Sequence, residues 1–209
     1  MTLLQAALDF DDGKKALAAA KKICPYVDII EIGTPLIKAE KEAETIRKMR
    51  RFRGKKIFAD LKTMDTGFFE AKHAFRAGAD YVSVLGVASD ETVRGALKAA
   101  GKKEVVVDLV GCRDVAKRIR ELKRVGARNF EVHTAIDEQA RGKGPLGELK
   151  KASKIRGIRI WVAGGISLGS LEGVMKHRPD VVVVGGAITK AKRPAEAAKK
   201  IRERIGGVE

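Results

Sequence analysis

The chain has 209 residues, 44% of them hydrophobic, which is enough for one domain with a substantial core. It carries 43 Lys and Arg against 27 Asp and Glu, for a net charge of +16, yet only 5% of its residues are aromatic. The basic residues fall beside Glu in helical patterns and lack the interleaved aromatics of a nucleic-acid-binding surface. Composition therefore predicts solvated helix faces and no specific nucleic acid partner.

Membrane and secreted classes are also excluded by the sequence. No apolar run reaches the roughly 20 residues of a membrane span, and the first residues lack the basic region of a secretion signal. Cys24 and Cys112 are too few for a disulfide framework or a zinc cluster. We expect a cytoplasmic protein, and the scarcity of Asn and Gln beside so many charges is typical of heat-adapted proteins.

Eight short β-branched segments follow one another along the chain and alternate with charged helical patterns. Each is a near-continuous apolar run, which is typical of a parallel strand covered by helices. The predicted strands are 3–9, 27–32, 56–61, 80–86, 104–110, 129–134, 158–164 and 180–186. The last helix is predicted to begin near Pro194.

Three helix-to-strand junctions resemble one another, which indicates an internal repeat of one strand and one helix. They are AGADYVSVLG, VGARNFEVHT and HRPDVVVVGG. Alternating strands and helices are compatible with two folds, a closed barrel and an open doubly wound sheet. The count of eight, and the absence of a GxGxxG turn after the first strand, favour a single-domain (β/α)8 TIM barrel over residues 1–209.

Ionisable residues stand at or near the carboxyl ends of several predicted strands. Any one of them has a structural alternative as a helix cap or loop anchor. In a barrel, however, these strand ends meet at one rim, where catalytic groups lie. Six at one rim predict an active site, and they are Asp9, Glu31, Asp60, Lys62, Asp108 and His133.

The segment DLKTMD, from Asp60 to Asp65, has three ionisable residues within six positions. Lys62 lies between two carboxylates, which favour its charged form, so it is suited to stabilise an anion or donate a proton. A structural ion pair is the alternative. Glu31 and Asp60 offer hard oxygen ligands on adjacent strands, so Mg²⁺ is a candidate, although carboxylate pairs without metal are also common.

The last two strand ends are rich in glycine, AGGIS at 163–167 and GGAIT at 185–189. Barrels often bind phosphate with backbone N–H groups of the loops after strands seven and eight. Glycine lets the backbone approach the oxygens closely. These two segments therefore predict a site for a sugar phosphate.

The chain resembles the orotidine-monophosphate decarboxylase suprafamily and, within it, the family of 3-hexulose-6-phosphate synthases. The resemblance covers essentially the whole chain and is most specific in EIGTPLIK at 31–38 and FADLKTMDTGFFEA at 58–71. It continues in VHTAIDEQARG at 132–142 and VGGAIT at 184–189. The related 3-keto-L-gulonate-6-phosphate decarboxylases, which are the alternative, have arginines where this chain has Ile136 and Gly186. Both departures favour the synthases.

The resemblance implies a lyase that condenses formaldehyde with ribulose 5-phosphate in a reversible aldol reaction through an enediolate. Glu31 and Asp60 would bind Mg²⁺, for which Mn²⁺ could substitute, and Lys62 would stabilise the enediolate. His133 would transfer protons. Further roles are implied for other residues: substrate contacts for Asp9, Glu31 and Asp108, orientation of Lys62 and the substrate for Asp9 and Asp65, and phosphate binding for Gly165, Gly185 and Gly186.

The resemblance also implies partners. The family forms homodimers with shared active sites, to which Asp65 would contribute from the other subunit. A separate 6-phospho-3-hexuloisomerase would act on the product. The direction of the reaction in the cell stays open.

Overall fold

The computed structural model describes residues 1–207 and contains a closed barrel of eight parallel strands in sequence order, in which β1 pairs with both β2 and β8. Residues 208 and 209 of the predicted 1–209 domain lie outside the described residues. The predicted (β/α)8 barrel is confirmed. Its strands are β1 Leu3–Leu8, β2 Ile29–Ile32, β3 Lys56–Thr63, β4 Tyr81–Leu85, β5 Glu104–Asp108, β6 Asn129–His133, β7 Arg159–Ala163 and β8 Val181–Val184.

Helices cover the outside of the barrel. They are α1 Gly13–Ile23, α2 Thr34–Ala39, α3 Glu42–Met49, α4 Gly67–Ala77, α5 Asp90–Ala100, α6 Val115–Val125, α7 Ile136–Gln139, α8 Leu146–Ala152, α9 Leu168–Met175, α10 Gly186–Thr189 and α11 Pro194–Gly206, with a 3₁₀ helix at Cys24–Tyr26. The sequence predicted one helix after each strand, whereas two follow β2, β6 and β8. The additional α2, α7 and α10 have only four to six residues, too short to show a helical period in the sequence.

Alternate strand residues face the inside of the barrel. Phe58, Tyr81, Val106, Trp161 and Val181 pack there in one buried cluster, with Tyr81 and Trp161 edge to face at 5.9 Å. The intervening residues pack against the helices in a second, larger cluster. Since the interior is filled by large side chains in the middle, a ligand can enter only from an end.

The predicted repeat of helix-to-strand junctions has a backbone basis. Gly78, Gly126 and Arg178 each have positive φ, at +117°, +113° and +48°, and each stands three residues before its strand. Gly78 and Gly126 are the left-handed caps that end α4 and α6, whereas Arg178 follows the end of α9 by three residues. Two of the three junctions therefore use the same helix-ending turn, and all three have a left-handed residue at the same distance from the strand.

Aspartates immediately before three strands tie the amino-terminal end of the barrel together. Asp28 accepts the N–H of Leu4, Asp80 that of Ile57 and Asp180 that of Ile160, at 2.7–2.9 Å. Each bond joins the start of an even-numbered strand to a neighbouring odd-numbered strand. These carboxylates stabilise the end of the barrel opposite the predicted site.

Many surface charges form ion pairs within single helices. Examples are Lys48 with Glu44, Lys151 with Glu148 and Lys176 with Glu172, at spacings of three or four residues. Among residues 1–207, no helix combines the length and the apolar character that crossing a membrane requires.

Candidate active site

Lys62 is the centre of the polar cluster at the carboxyl ends of the strands. Its Nζ lies 2.8 Å from Oδ2 of Asp60, on the same strand, and 2.8 Å from Oδ2 of Asp108 on β5. The pairing of β3 with β4 is irregular between Ala59 and Thr63, and Lys62 has a φ of +47°. This local irregularity lets the side chains of Asp60 and Lys62 meet although only one residue separates them.

Hydroxyl groups from two other elements hold Asp60. The Ser83 hydroxyl, on β4, donates to Oδ1 of Asp60 at 2.7 Å and accepts the backbone N–H of Lys62 at 2.8 Å. The Thr34 hydroxyl, at the start of α2, lies 2.8 Å from Oδ2 of Asp60. Sequence reasoning missed both hydroxyls, because Ser and Thr in such positions are common and carry no signal of their own.

Asp108 links Lys62 to His133. Oδ2 of Asp108 is 3.0 Å from Nδ1 of His133, and its Oδ1 accepts the N–H of Val110 at 2.9 Å. Complete burial opposes ionisation of Asp108, but the hydrogen bond from His133 and the charge of Lys62 lower its pKa below the usual range. Asp108 therefore stays a carboxylate that orients both partners.

The charge of Lys62 is stabilised strongly. Burial alone would lower its pKa, but the carboxylates of Asp60, Asp108 and Glu131 outweigh burial and raise the pKa well above the usual value. Sequence reasoning placed Lys62 between Asp60 and Asp65, whereas within this chain the second carboxylate is that of Asp108. The expectation of a permanently charged lysine is unchanged by this difference.

Glu31 lies on β2 beside this cluster and is 6% exposed. Its Oε2 accepts a hydrogen bond from Nε2 of Gln5 at 2.7 Å, and Oε1 of Gln5 accepts one from the indole N–H of Trp161 at 3.2 Å. Burial, followed by repulsion from Asp60 and Asp9, raises the pKa of Glu31 well above its usual value. Glu31, Asp60 and Asp9 thus lie close enough together at the mouth to repel one another.

Asp9 follows β1 and is exposed at the mouth. Nearby protein atoms still remove enough solvent to raise its pKa, and the charge of Asp60 adds to the effect. The Asp9 carboxylate lies so close to Gly33 that a Cβ there would overlap it, and 3.4 Å from where a Cβ on Gly185 would stand. Two glycines therefore make room for this carboxylate.

Asp65 lies apart from the cluster in this chain. Its side chain is exposed and accepts the N–H of Thr66 at 2.7 Å. Among residues 1–207 it contacts none of the other predicted site residues. Asp65 therefore forms no hydrogen bond or ion pair with its own Lys62 cluster.

The two glycine-rich turns stand side by side. Trp161 of β7 pairs with Val181 of β8, and Gly165 and Gly185 each follow four residues later. Gly165 has a φ of +68°, a conformation that favours glycine. Within residues 1–207, the N–H groups of Gly165 and Gly186 have no hydrogen-bond acceptor and are available to an anion.

Glu31 and Asp60 suit a hard divalent cation. Both are buried carboxylates near the carboxyl ends of adjacent strands, and their repulsion shows in the raised pKa of Glu31. Lys62 is the one lysine beside these acids in the described chain, so the cluster carries more negative than positive charge. A cation with oxygen preference fits such a donor set.

Glu131 is a buried acid of this site that sequence reasoning missed, as it missed the two hydroxyls. It stands on β6 two residues before His133, and the pattern Asn129, Glu131, His133 alternates in NFEVH. That alternation was a readable signal, because polar residues at every second position of an otherwise apolar strand share one face.

Residues 2–201 match the model of the family described as Orotidine 5'-phosphate decarboxylase / HUMPS family. A 3-hexulose-6-phosphate synthase from Mycobacterium gastri is 45% identical over 204 residues, covering 97% of this chain and 99% of that protein. A crystal structure of 3-hexulose-6-phosphate synthase from Salmonella typhimurium superposes with a TM-score of 0.97 at 40% identity over 100% of both chains. The resemblance found in the sequence is confirmed.

The structure of 3-keto-L-gulonate-6-phosphate decarboxylase from Vibrio cholerae is also similar, with a TM-score of 0.88 over 100% of this chain and 99% of that one. Its sequence identity, however, is only 26%. The chain is therefore more similar in sequence to the synthases than to this decarboxylase, whereas both kinds of protein share its fold. The chain belongs to the Orotidine 5'-phosphate decarboxylase / HUMPS family.

Proposed function

We propose that this protein is a 3-hexulose-6-phosphate synthase, a lyase that joins formaldehyde to ribulose 5-phosphate in a reversible, Mg²⁺-dependent aldol reaction. The observation that carries the proposal is the chain of contacts from Asp60 through Lys62 and Asp108 to His133 at the mouth of the barrel. Relatives of nearly the same length that carry this name support it.

His133 is placed to move the proton of carbon one. Asp108 engages its Nδ1 at 3.0 Å, which leaves Nε2 free to accept a proton from the substrate. Lys62 then stabilises the negative charge of the enediolate, because its ammonium group is held by two carboxylates and stays charged. Glu31 and Asp60 hold the divalent cation, which supplies further stabilisation of oxygen anions when bound.

The opposite side of the mouth holds the phosphate. Gly165, Gly185 and Gly186 offer backbone N–H groups without a bulky side chain, and Asp9 lies beside Gly185 where it can accept a substrate hydroxyl. This arrangement fixes one end of the sugar phosphate while the other end reaches Lys62 and His133.

We also propose that the active protein is a homodimer and that Asp65 acts in the site of the partner subunit. Asp65 forms no ion pair with its own Lys62, and the exposed apolar residues Met64, Phe68 and Phe69 are close to it in the sequence. Apolar groups exposed together are typical of a protein interface. The product would pass to a separate isomerase, 6-phospho-3-hexuloisomerase.

The test is formaldehyde-dependent consumption of ribulose 5-phosphate, measured with and without chelator. We expect activity that chelator removes and that Mg²⁺ or Mn²⁺ restores. Lys62→Ala should lower turnover by about 10³-fold or more with the far-UV circular dichroism unchanged. The control is Lys15→Ala, which removes an exposed lysine of α1 and should leave turnover unchanged.

The same protein is incubated in parallel with 3-keto-L-gulonate 6-phosphate. Release of CO₂ without formaldehyde condensation would assign the protein to the alternative decarboxylase. Activity that survives in chelator would contradict the roles of Glu31 and Asp60 as metal ligands.

A further inference from the structure

Glu131 is a buried carboxyl group without a hydrogen-bond partner at the active site. It is 4% exposed, and no group within residues 1–207 forms a hydrogen bond with its side chain. The residues on either side of it on the same face of β6 differ, since Asn129 donates to Glu104 and His133 contacts Asp108. Neither of its oxygens is among the fully enclosed side-chain atoms that lack a partner, so the carboxyl group is open to the solvent of the mouth and to a small ligand.

The position of Glu131 is beside the proposed proton-transfer pair. The register places Glu131 opposite Asp108 on β5 and opposite Trp161 on β7. One carboxylate oxygen of Glu131, one of Asp108 and one ring nitrogen of His133 all lie within 4.8 Å of one another. The mouth lies at the carboxyl ends of the strands, so an inward residue earlier in a strand lies deeper in the barrel. Glu131 precedes His133 by two residues on β6 and therefore lies below it.

A metal ion at this trio of side chains is disfavoured by geometry. Oδ2 of Asp108 already has the Lys62 ammonium group at 2.8 Å and His133 at 3.0 Å, and its Oδ1 accepts a backbone N–H. Oδ2 of Asp108 and Nδ1 of His133 are therefore engaged with each other and do not both face a shared ion. The Glu131 carboxyl forms no ion pair with Lys62 or with another cation of residues 1–207.

Glu131 is suited to keep a proton. Burial, followed by repulsion from Asp108 and Glu31, raises its pKa well above the usual value. The largest cause is burial, which a cation on Glu31 and Asp60 would not remove. A neutral carboxyl group can donate a hydrogen bond to the oxygen of a small ligand.

We propose, on the basis of the function proposed above, that Glu131 is a catalytic residue that binds the carbonyl oxygen of formaldehyde and protonates it as the new carbon–carbon bond forms. One of its oxygens lies within 4.8 Å of an Asp108 oxygen and a His133 ring nitrogen, so it can act next to the group that moves the proton of carbon one. His133 removes the proton of carbon one, and Glu131 donates a proton to the oxygen of formaldehyde.

The protons balance over one turnover. His133 takes the proton of carbon one, and the resulting enediolate carbon attacks the carbon of formaldehyde. The π electron pair of formaldehyde moves to its oxygen, which takes the proton of Glu131 and becomes a hydroxyl group. The proton on His133 then passes to the Glu131 carboxylate, directly or through water, and restores both groups.

The experiment separates the two halves of the reaction. Exchange of the carbon-one proton of ribulose 5-phosphate with deuterium oxide, followed by NMR without formaldehyde, measures enediolate formation alone. Condensation is measured with formaldehyde added. Glu131→Gln should keep exchange within about twofold of the unaltered protein and lower kcat/KM for formaldehyde about 10²-fold or more.

The control is Glu104→Gln, the same chemical change at the start of β5, at the other end of the barrel. It should leave both rates unchanged. If Glu131→Gln loses exchange and condensation in equal proportion, or loses neither, the role of Glu131 is wrong. If the unaltered protein exchanges the proton but condenses no formaldehyde, the proposed synthase function itself is wrong, and the role of Glu131 falls with it.

Discussion

At the scale of single residues, Glu131 makes the stability of the folded chain depend on pH in an unusual direction. Its pKa is raised in the folded state, so the folded protein keeps a proton that the unfolded chain releases above about pH 4. Between the unfolded and folded pKa values the folded state binds more protons, and stability therefore falls as pH rises.

This effect is measurable in the metal-free protein. Between pH 5 and pH 8, in chelator, we expect the unaltered protein to lose more thermal stability than Glu131→Gln, which has no proton to lose at this position. Glu172→Gln, on an exposed face of α9, is the control and should retain the slope of the unaltered protein. Equal slopes in all three proteins would contradict the proposed protonation of Glu131.

At the scale of elements, the aspartates before the even-numbered strands allow a matched comparison. Asp180 accepts the N–H of Ile160, whereas Asp80 accepts that of Ile57 and also pairs with Arg50 and Lys103. Asp180→Ala should cost about 1–3 kcal/mol, because a backbone N–H loses its acceptor. Asp80→Ala should cost about 1 kcal/mol more, because exposed ion pairs add little each.

Urea unfolding measures both variants. In 1 M salt the difference between the two should shrink, since salt screens the ion pairs but not the hydrogen bond. A difference that is independent of salt would show that the cations beside Asp80 contribute nothing. Catalysis should survive in both variants, because these residues are at the end of the barrel away from the mouth.

The elements differ in how well the sequence predicts them. All eight strands were predicted near their observed bounds because each is a β-branched apolar run between charged helices. The short helix α2 was not, although it positions Thr34 on Asp60. A six-residue helix has less than two turns, so no hydrophobic period can emerge.

The same division holds for the site. Asp60, Lys62, Asp108 and His133 could be placed at one mouth from strand position alone. The pairing of Lys62 with Asp108 could not, because it depends on the register of β3 to β5 and on the irregular backbone at Lys62. Sequence fixes which strand end a residue occupies, but contacts between strands follow from tertiary packing.

At the scale of the whole molecule, exposed apolar side chains concentrate on the side of the mouth. Apart from Met1, the large hydrophobic residues most exposed among residues 1–207 all follow the carboxyl end of a strand: Met64, Phe68, Phe69, Val87, Ile136, Leu146 and Leu168. Water would contact all of them in an isolated subunit. Coverage by a second subunit would stabilise this side of the barrel.

The proposed dimer is tested by placing a charge in its interface. Phe69 is 69% exposed, and Phe69→Glu should convert the dimer to a folded monomer, because a charge cannot be buried there without a partner. Sedimentation velocity gives the mass, and the synthase assay should show a parallel loss of activity if Asp65 works across subunits. Lys102→Glu, an exposed position before β5 at the other end of the barrel, is the control and should remain dimeric. A dimer that persists in Phe69→Glu would place the interface elsewhere.

The backbone at Lys62 has a consequence for how this enzyme can evolve. A φ of +47° costs a residue with a Cβ about 1 kcal/mol or more, so at this position glycine is the least strained choice and lysine is a costly one. Lys62→Gly should therefore unfold at a higher temperature than Lys62→Ala while being just as inactive. Stability and turnover therefore place opposite demands on the amino acid at this position.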